Sequence, residues 1–171
     1  MIAGLLVFFG LGVVVVVLHK LGHYAVGRWL VGIQPSNIKL VWGLPQYVAL
    51  SDGDTWVSPL TFAAYLDTYR QQDPESTYLA VYLAAGVLAQ TIGVVTIGGL
   101  ALVAGVPLVG QSVVLISVIL TGVHLFSDLG ATLHMGSESG EFSALWGQSP
   151  ASTVAVFGLF VVTHGLLYAQ F

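Results

Sequence analysis

Long apolar stretches alternate with shorter polar ones along this chain. Each apolar stretch is long enough to cross the roughly 30 Å of a bilayer's hydrocarbon core as a helix that rises about 1.5 Å per residue. Pro107 separates the second stretch from the third, so a tight turn is expected there. The stretches cover residues 2–30, 78–106, 108–134 and 151–171. The pattern predicts an all-α polytopic membrane protein with about four transmembrane helices, forming a single membrane domain over residues 1–171.

The polar segments have patterns of their own. Residues 32–77 separate the first two spans, and residues 37–50 within them are rich in β-branched and aromatic residues around a Gly-Leu-Pro sequence. This composition is typical of a β-hairpin. Residues 58–73 carry apolar residues at helical spacing, which predicts an interfacial helix. Residues 136–150 show no such pattern and are expected to be a short loop.

Composition supports a membrane location. Only 7% of the residues are charged and 56% are hydrophobic, whereas ordinary soluble domains have roughly 25% charged residues. A chain of 171 residues with four Lys/Arg and eight Asp/Glu could not cover a water-exposed surface. Cysteine is absent, so disulfides and thiolate metal ligands are excluded. The formal net charge is −4 and no basic cluster is present, which argues against a nucleic-acid partner.

The first apolar stretch could be mistaken for a signal peptide. No basic residue precedes Ile2, and no small-residue cleavage site follows the apolar run. We therefore expect this stretch to be a retained transmembrane helix.

Basic residues indicate the orientation. Arg28, Lys39 and Arg70 flank or lie in the segment between the first two spans, and the other loops contain no Lys or Arg. Because loops rich in Lys and Arg stay on the cytoplasmic side, this segment is expected in the cytoplasm and the N-terminus outside. The sequence thus predicts a multi-pass protein of the cell membrane, surrounded by the lipid bilayer.

Three ionisable residues lie within five positions of the first span, namely His19, Lys20 and His23. On a helix the two histidines lie about one turn apart on the same face, where they can bind a single metal ion. They could equally be packed histidines whose ring nitrogens bond to backbone carbonyls. Ionisable residues are costly inside a membrane and usually mark a site or a polar path, which favours a functional role.

Asp128 is the only acidic residue within any predicted span. His19 lies about 26 Å along its helix from Ile2, Asp128 lies at a similar distance from Gly110, and the two spans run in the same direction. A carboxylate at that depth requires a cation, either a metal ion or the Lys20 ammonium. Two interpretations stay open: a metal site formed by the histidines and Asp128, or a metal-free Lys20–Asp128 ion pair.

These residues carry a resemblance to a known family. The segment from His19-Lys-Leu-Gly-His23 to Ile33 resembles the H-E-x-G-H-x-x-x-A-x-x-x-G-I signature of the site-2 proteases, which are intramembrane zinc metalloproteases. In that family a membrane-associated β-hairpin with a G-x-P-x-Y-V type of sequence follows, and residues 37–50 are similar to it. The order, spacing and direction of the motifs agree over about residues 1–135.

Two further segments resemble core helices of the family. Residues 84–90 are similar to its A-A-G-P-x-A-N motif, with Val87 in place of Pro and Gln in place of Asn. Residues 127–130 are similar to its L-D-G motif, whose aspartate is the remaining metal ligand. The resemblance implies a Zn²⁺ ion on His19, His23 and Asp128, with substrate contacts at Gly86, Gln90 and the hairpin edge.

The chain departs from the family pattern where the chemistry occurs. Lys20 stands at the position of the glutamate that activates zinc-bound water in the family. A charged ammonium cannot accept a proton from water and is repelled by a metal ion, so weak or absent peptidase activity is expected. The Asn-Pro approach to the aspartate is replaced by Val123-His-Leu-Phe126, so the third span is expected to remain helical.

The other polar residues have less specific patterns. His124 lies one turn before the intramembrane aspartate and is expected to pack, although it could serve as a further ligand or partner. Glu138 and Glu141, just beyond the third span, could act as substitute bases. His134 and His164 are expected at an interface or in the core.

Two functions are consistent with this sequence. The first is a site-2-protease-like protein that cleaves transmembrane helices near the cytoplasmic face, or that binds such helices or a membrane partner protein without cutting them. The second is a metal-free subunit of a membrane complex, or a proton-relay protein, built on the Lys20–Asp128 ion pair.

The predicted orientation can be tested with topology reporters. A reporter inserted within residues 32–77 should report a cytoplasmic location, and one fused after Phe171 should report an external location. A cytoplasmic C-terminus would contradict the model of four spans with an external N-terminus.

Overall fold

The computed structural model describes residues 2–43 and 46–171, except for the side chains of Ile2 and Ala3. Six helices, one of which continues into a π-helical segment, and a three-stranded sheet lie within these ranges. In chain order the elements are α1 (Ile2–Ala25) with its π-helical continuation (Val26–Val31), β1 (Ile38–Val41), β2 (Tyr47–Ser51), β3 (Trp56–Val57), α2 (Phe62–Gln72), α3 (Leu79–Val103), α4 (Pro107–Met135), α5 (Glu141–Gln148) and α6 (Pro150–Tyr168).

Four of the helices are long and apolar enough to cross a membrane. They are α1 with its π-helical continuation, α3, α4 and α6, and their bounds lie within a few residues of the predicted spans. Large apolar side chains point away from the protein on these helices, as Phe9, Val103 and Leu133 show with exposed fractions of 69%, 90% and 77%. Such a surface suits lipid rather than water. The predicted class, an all-α polytopic membrane protein with a small β-hairpin, is confirmed.

Helix α3 is the centre of the helix bundle. It packs against α1, α4, α5 and α6. Small residues let its backbone approach α1 closely, because Gly22 faces the backbone of Ala85 and Gly93 faces the side chain of Leu18. Without a hydrophobic force between helices in lipid, such close van der Waals contact is a main source of their association.

The predicted hairpin is confirmed in its two strands. β1 pairs with β2 in antiparallel fashion from Ile38 opposite Leu50 to Val41 opposite Tyr47. The residues proposed for its turn include Leu44 and Pro45, which lie outside the described residues. A short third strand, β3, adds to the other edge of β2 and was not predicted.

The sheet and α2 form a layer over the N-terminal end of α3. Tyr65, Leu66 and Tyr69 of α2 pack with Leu50 of the sheet and Tyr82 of α3. The predicted helix within residues 58–73 is thus confirmed as α2. This layer covers the end of the bundle at which the first and third spans finish.

Two expectations about the third span and the segment after it have different outcomes. α4 is helical throughout residues 107–135, so the replacement of the Asn-Pro approach indeed leaves this span wound. Residues 136–150, however, are not a simple loop, because they contain the two-turn helix α5. Its eight residues are too short for a helical period to stand out in the sequence, and it forms by packing against α3, α4 and α6.

The close contact between α1 and α3 predicts that adding a methyl group at Gly22 lowers the stability of the protein. Gly22→Ala should destabilise the protein by about 1–3 kcal/mol, because its Cβ would overlap the backbone oxygen of Ala85 and force the helices apart. Gly10→Ala, on the same helix with nothing within 4 Å of the added Cβ, is the matched control and should be near neutral or slightly stabilising. Unfolding of both variants in detergent micelles would measure the difference, and equal stabilities would contradict the packing described.

Candidate metal centre

Three potential metal ligands converge at the end of the bundle covered by the sheet. His19 and His23 extend from the same face of α1, and Glu141, the first residue of α5, approaches both. Glu141 Oε2 lies 3.2 Å from His19 Nε2 and 3.1 Å from His23 Nε2, and the two Nε2 atoms lie 3.3 Å apart. Both histidines are buried, with 3% exposure each.

The other ring nitrogen of His23 has a partner that fixes the tautomer. Its Nδ1 lies 2.8 Å from the carbonyl oxygen of Tyr82. A carbonyl can only accept, so Nδ1 donates and Nε2 presents a lone pair. Metal-binding histidines commonly donate their second N–H to a carbonyl in this way.

His19 is fixed in the same sense through Gln90. The amide Nε2 of Gln90 lies 3.3 Å from the carbonyl oxygen of Ser117, so this atom is the donor side of the amide. Its Oε1 therefore faces His19 Nδ1, at 3.1 Å, and His19 Nδ1 must donate. His19 Nε2 then also presents a lone pair toward the cluster.

These assignments leave three electron-rich atoms facing one another. Two imidazole lone pairs and a carboxylate oxygen repel unless a proton or a cation lies between them. Donor atoms about 2.0–2.1 Å from a tetrahedral zinc ion are about 3.3 Å apart, and the three distances here are 3.1, 3.2 and 3.3 Å. The donor set of two His and one Glu also occurs at catalytic zinc sites. The residues present thus fit a zinc ion.

A glycine provides the space for the two rings. A Cβ at Gly86 of α3 would overlap the Nε2 atoms of both His19 and His23. The sequence assigned Gly86 to substrate contact, but the structure places it in the interior, against the two histidines.

The electrostatics favour an ionised Glu141. Burial alone raises the pKa of this carboxyl, but a proton held between the imidazoles and the carboxylate, which places positive charge at His23, and the Lys20 ammonium lower it by more. The pKa of Glu141 therefore lies well below its usual range. At neutral pH the side chain is a carboxylate, as a metal ligand must be.

Asp128, the third ligand predicted from the sequence, is not part of this cluster. The described His, Asp and Glu residues grouped closely enough to hold a metal are His19, His23 and Glu141. Asp128 instead accepts hydrogen bonds from the first turn of α5, at 2.7 Å from Phe142 N and 3.0 Å from Ser143 N. The physical reason is that α5, which the sequence did not reveal, supplies closer donors for this carboxylate and brings in Glu141.

Gln90, also assigned to substrate contact, has an interior role. Its amide nitrogen donates to Ser117 Oγ at 2.8 Å and to Thr121 Oγ1 at 2.9 Å, while its oxygen accepts from His19. His164 of α6 lies 2.8 Å from Ser117 Oγ and extends the chain of hydrogen bonds. With 3% exposure, Gln90 is a buried link that orients His19 rather than a surface for substrate.

A groove runs along the bundle to the candidate metal centre. It lies between α1 and α4, has a volume of about 810 Å³ and is lined mainly by apolar residues of these helices, including Phe9, Val13 and Ile119. The acidic, basic and histidine side chains in its walls are Lys20, His124, Asp128 and Glu141. The His124 ring lies edge-on to His19, with centroids 5.6 Å apart, while the residue as a whole is exposed in the groove.

The ion pair of the second interpretation does not form. Among the ion pairs of residues 2–43 and 46–171 there is none between Lys20 and Asp128. The two side chains line the same groove, but Asp128 uses both oxygens on α5 and on Thr132.

Sequence reasoning found two of the three clustered residues and considered the third only as a base. Only a weak local signal for Glu141 was present: an acidic residue directly after a glycine, with Phe142 and Leu145 three residues apart, is compatible with a helix N-terminus. In comparisons with protein-family models, curated proteins and solved structures, nothing matches the chain.

The role of Gly86 gives a direct test of the cluster. Gly86→Ala should weaken zinc binding at least about tenfold, because the added methyl group displaces the imidazoles from each other. Gly99→Ala, on the same helix with nothing within 4 Å of its Cβ, is the matched control and should bind zinc like the unmodified protein. Titration of the purified protein with zinc against a competing chelator measures both, and equal affinities would contradict the assignment.

Proposed function

We propose that this chain is an intramembrane metalloprotein of the site-2 protease type. It binds one zinc ion through His19, His23 and Glu141, and it takes up an apolar segment of a membrane protein in the groove between α1 and α4. Its main activity is binding, with slow hydrolysis or none.

The observation that carries this proposal is the close approach of three electron-rich atoms, His19 Nε2, His23 Nε2 and Glu141 Oε2. Both imidazoles direct a lone pair at the position that Glu141 Oε2 also faces, and all three distances suit a shared zinc ion. A zinc ion with three protein ligands keeps a coordination position free and can polarise a carbonyl or activate water. The resemblance of residues 19–33 and 84–90 to family motifs also favours this class of protein, whereas the aspartate of the third motif, Asp128, lies outside the cluster.

The groove supports a membrane segment as the bound partner. Its walls are mainly apolar, and it extends about 16 Å along α1 from Phe9 to Lys20. The groove therefore admits an extended segment, or the side chains of one helix face.

Among the described residues that line the polar end of the groove, no carboxylate is free to serve as a base. Glu141 faces both histidines, and Asp128 accepts hydrogen bonds from α5. Lys20, at the position of the family's glutamate, also lines this end. An ammonium cannot take a proton from metal-bound water, which supports binding rather than efficient cleavage.

The structural contacts support the alternative function less well. It requires Lys20 and Asp128 to neutralise each other, and the described part of the chain contains no such ion pair. A hydrogen-bonded chain does lead from His19 to His164, but it passes through the amide of Gln90, which does not titrate.

The positions of the basic residues set the proposed orientation. With Lys39 and Arg70 in the cytoplasm, the sheet, α2 and α5 lie on the cytoplasmic side, and the N-terminus lies outside the cell membrane. The zinc centre is then near the cytoplasmic face.

Zinc content tests the proposal directly. The purified protein should hold about one equivalent of zinc, and His23→Ala or Glu141→Gln should lower the occupancy sharply, since each removes one of three donors. Acidification should release the metal, because the ligands bind in their deprotonated forms and protons compete with zinc as the pH falls.

The matched control is His134→Ala, which removes an exposed histidine from the end of α4 and should leave zinc content unchanged. Negligible zinc in the unmodified protein, under conditions where it stays folded, would refute the metal centre.

The role of Lys20 can be tested by restoring the family's residue. Lys20→Glu places a carboxylate at the polar end of the groove, and cleavage of a membrane-segment substrate should rise by about 10² to 10⁴-fold if the remaining site is competent. Lys20→Gln, which removes the charge without supplying a base, is the control and should not accelerate cleavage. Efficient cleavage by the unmodified protein, with an equal rate for Lys20→Ala, would contradict the assignment and direct attention to His124.

A further inference from the structure

We infer that Asp128 is a positioning residue, whose carboxylate holds the first turn of α5 so that Glu141 meets His19 and His23. The effect of this contact on zinc affinity rests on the proposed function, but the contact itself can be tested without a metal.

The hydrogen bonds of Asp128 converge on one turn of helix. Oδ2 accepts from the backbone N–H groups of Phe142 and Ser143, at 2.7 and 3.0 Å. Oδ1 accepts from Ser143 Oγ at 2.6 Å and from Thr132 Oγ1 at 3.1 Å. With four bonds and 7% exposure, the carboxylate is fully engaged in this contact.

Helix α5 needs this partner because of its own sequence. The first N–H groups of a helix have no acceptor within the helix, and a Ser, Thr, Asp or Asn at the preceding position usually supplies one. Here Gly140 precedes the helix and has no side chain to do so. Asp128, from α4, provides the missing acceptor, and its negative charge also complements the positive end of the helix dipole.

Gly140 is required by the same contact. Its φ of −167° is an extended conformation that any residue adopts, so backbone strain does not explain the glycine. A Cβ at this position would overlap the carboxyl group of Asp128. The absence of a side chain thus lets Asp128 reach the backbone of α5.

The contact controls Glu141 because the two are adjacent. Asp128 holds the N–H groups of the two residues that directly follow Glu141. The Glu141 side chain leaves the same turn toward the histidines, at 3.1 and 3.2 Å. A displacement of this turn by an ångström would therefore separate Glu141 from both imidazoles.

Amide hydrogen exchange tests the contact without reference to zinc. In Asp128→Ala the N–H groups of Phe142 and Ser143 should exchange at least about tenfold faster than in the unmodified protein, because they lose their acceptor. Glu138→Gln, which changes an exposed carboxylate of the same loop, should leave their exchange unchanged. Unchanged exchange in Asp128→Ala would overturn the inference.

Zinc affinity then separates positioning from ligation. Asp128→Ala should weaken zinc binding by about 10–100-fold, as removal of a supporting partner does. Asp128→Asn should weaken it less, since the amide oxygen can still accept from α5, and Gly140→Ala should weaken it although every carboxylate remains. Glu141→Gln should have the largest effect.

The opposite pattern would overturn the inference. If Asp128→Asn and Asp128→Ala lost zinc equally while Glu141→Gln and Gly140→Ala retained it, Asp128 would be the ligand. If the unmodified protein bound no zinc but Asp128→Ala released the amides of α5, the proposed metal function would fail and the positioning contact would stand.

Discussion

The structure depends on the requirement that polar groups within the membrane find their partners inside the protein. Lipid offers neither donors nor acceptors, so an ionisable side chain without a partner would be strongly destabilising. His23 donates to the carbonyl oxygen of Tyr82, and His19 donates to Gln90, which is itself held by Ser117 and Thr121. These bonds tie α1 to α3 and α4. The same bonds leave the two Nε2 atoms facing each other. The hydrogen bonds that satisfy these histidines within the helix bundle therefore also form the candidate metal site.

Close packing is the second condition for this arrangement. The rings reach each other only because Gly86 leaves space against α3, and α1 reaches α3 only because Gly22 lies against the backbone of Ala85. Both glycines belong to segments that resemble family motifs, yet their part here is steric. A pattern of small residues in a span therefore indicates where helices meet, and it also indicates where side chains of the neighbouring helix can be accommodated.

The sequence predicted the spans, the hairpin and the two histidines because each has a strong local signal. Length and hydropathy define a span, and the four-residue spacing of His19 and His23 places them on one helix face. The partner of Asp128 could not be predicted in this way. Matched depth correctly brought Asp128 to the same end of the bundle, but which atoms it meets depends on α5. That helix is stabilised by tertiary contacts, so its formation and the approach of Glu141 leave little trace in the local sequence.

The charges at the polar end of the groove determine how the proposed zinc ion would compete with protons for one position. Without a metal, Asp128 and Glu141 contribute two negative charges and Lys20 one positive charge, and a proton on the histidine pair would neutralise the remainder. A zinc ion would replace that proton and make the local charge positive, which the low-dielectric surroundings would penalise. Lys20 would therefore oppose the binding of zinc as well as proton abstraction. Its side chain is half-buried in the groove wall, so this repulsion acts from a position beside the cluster and not within it.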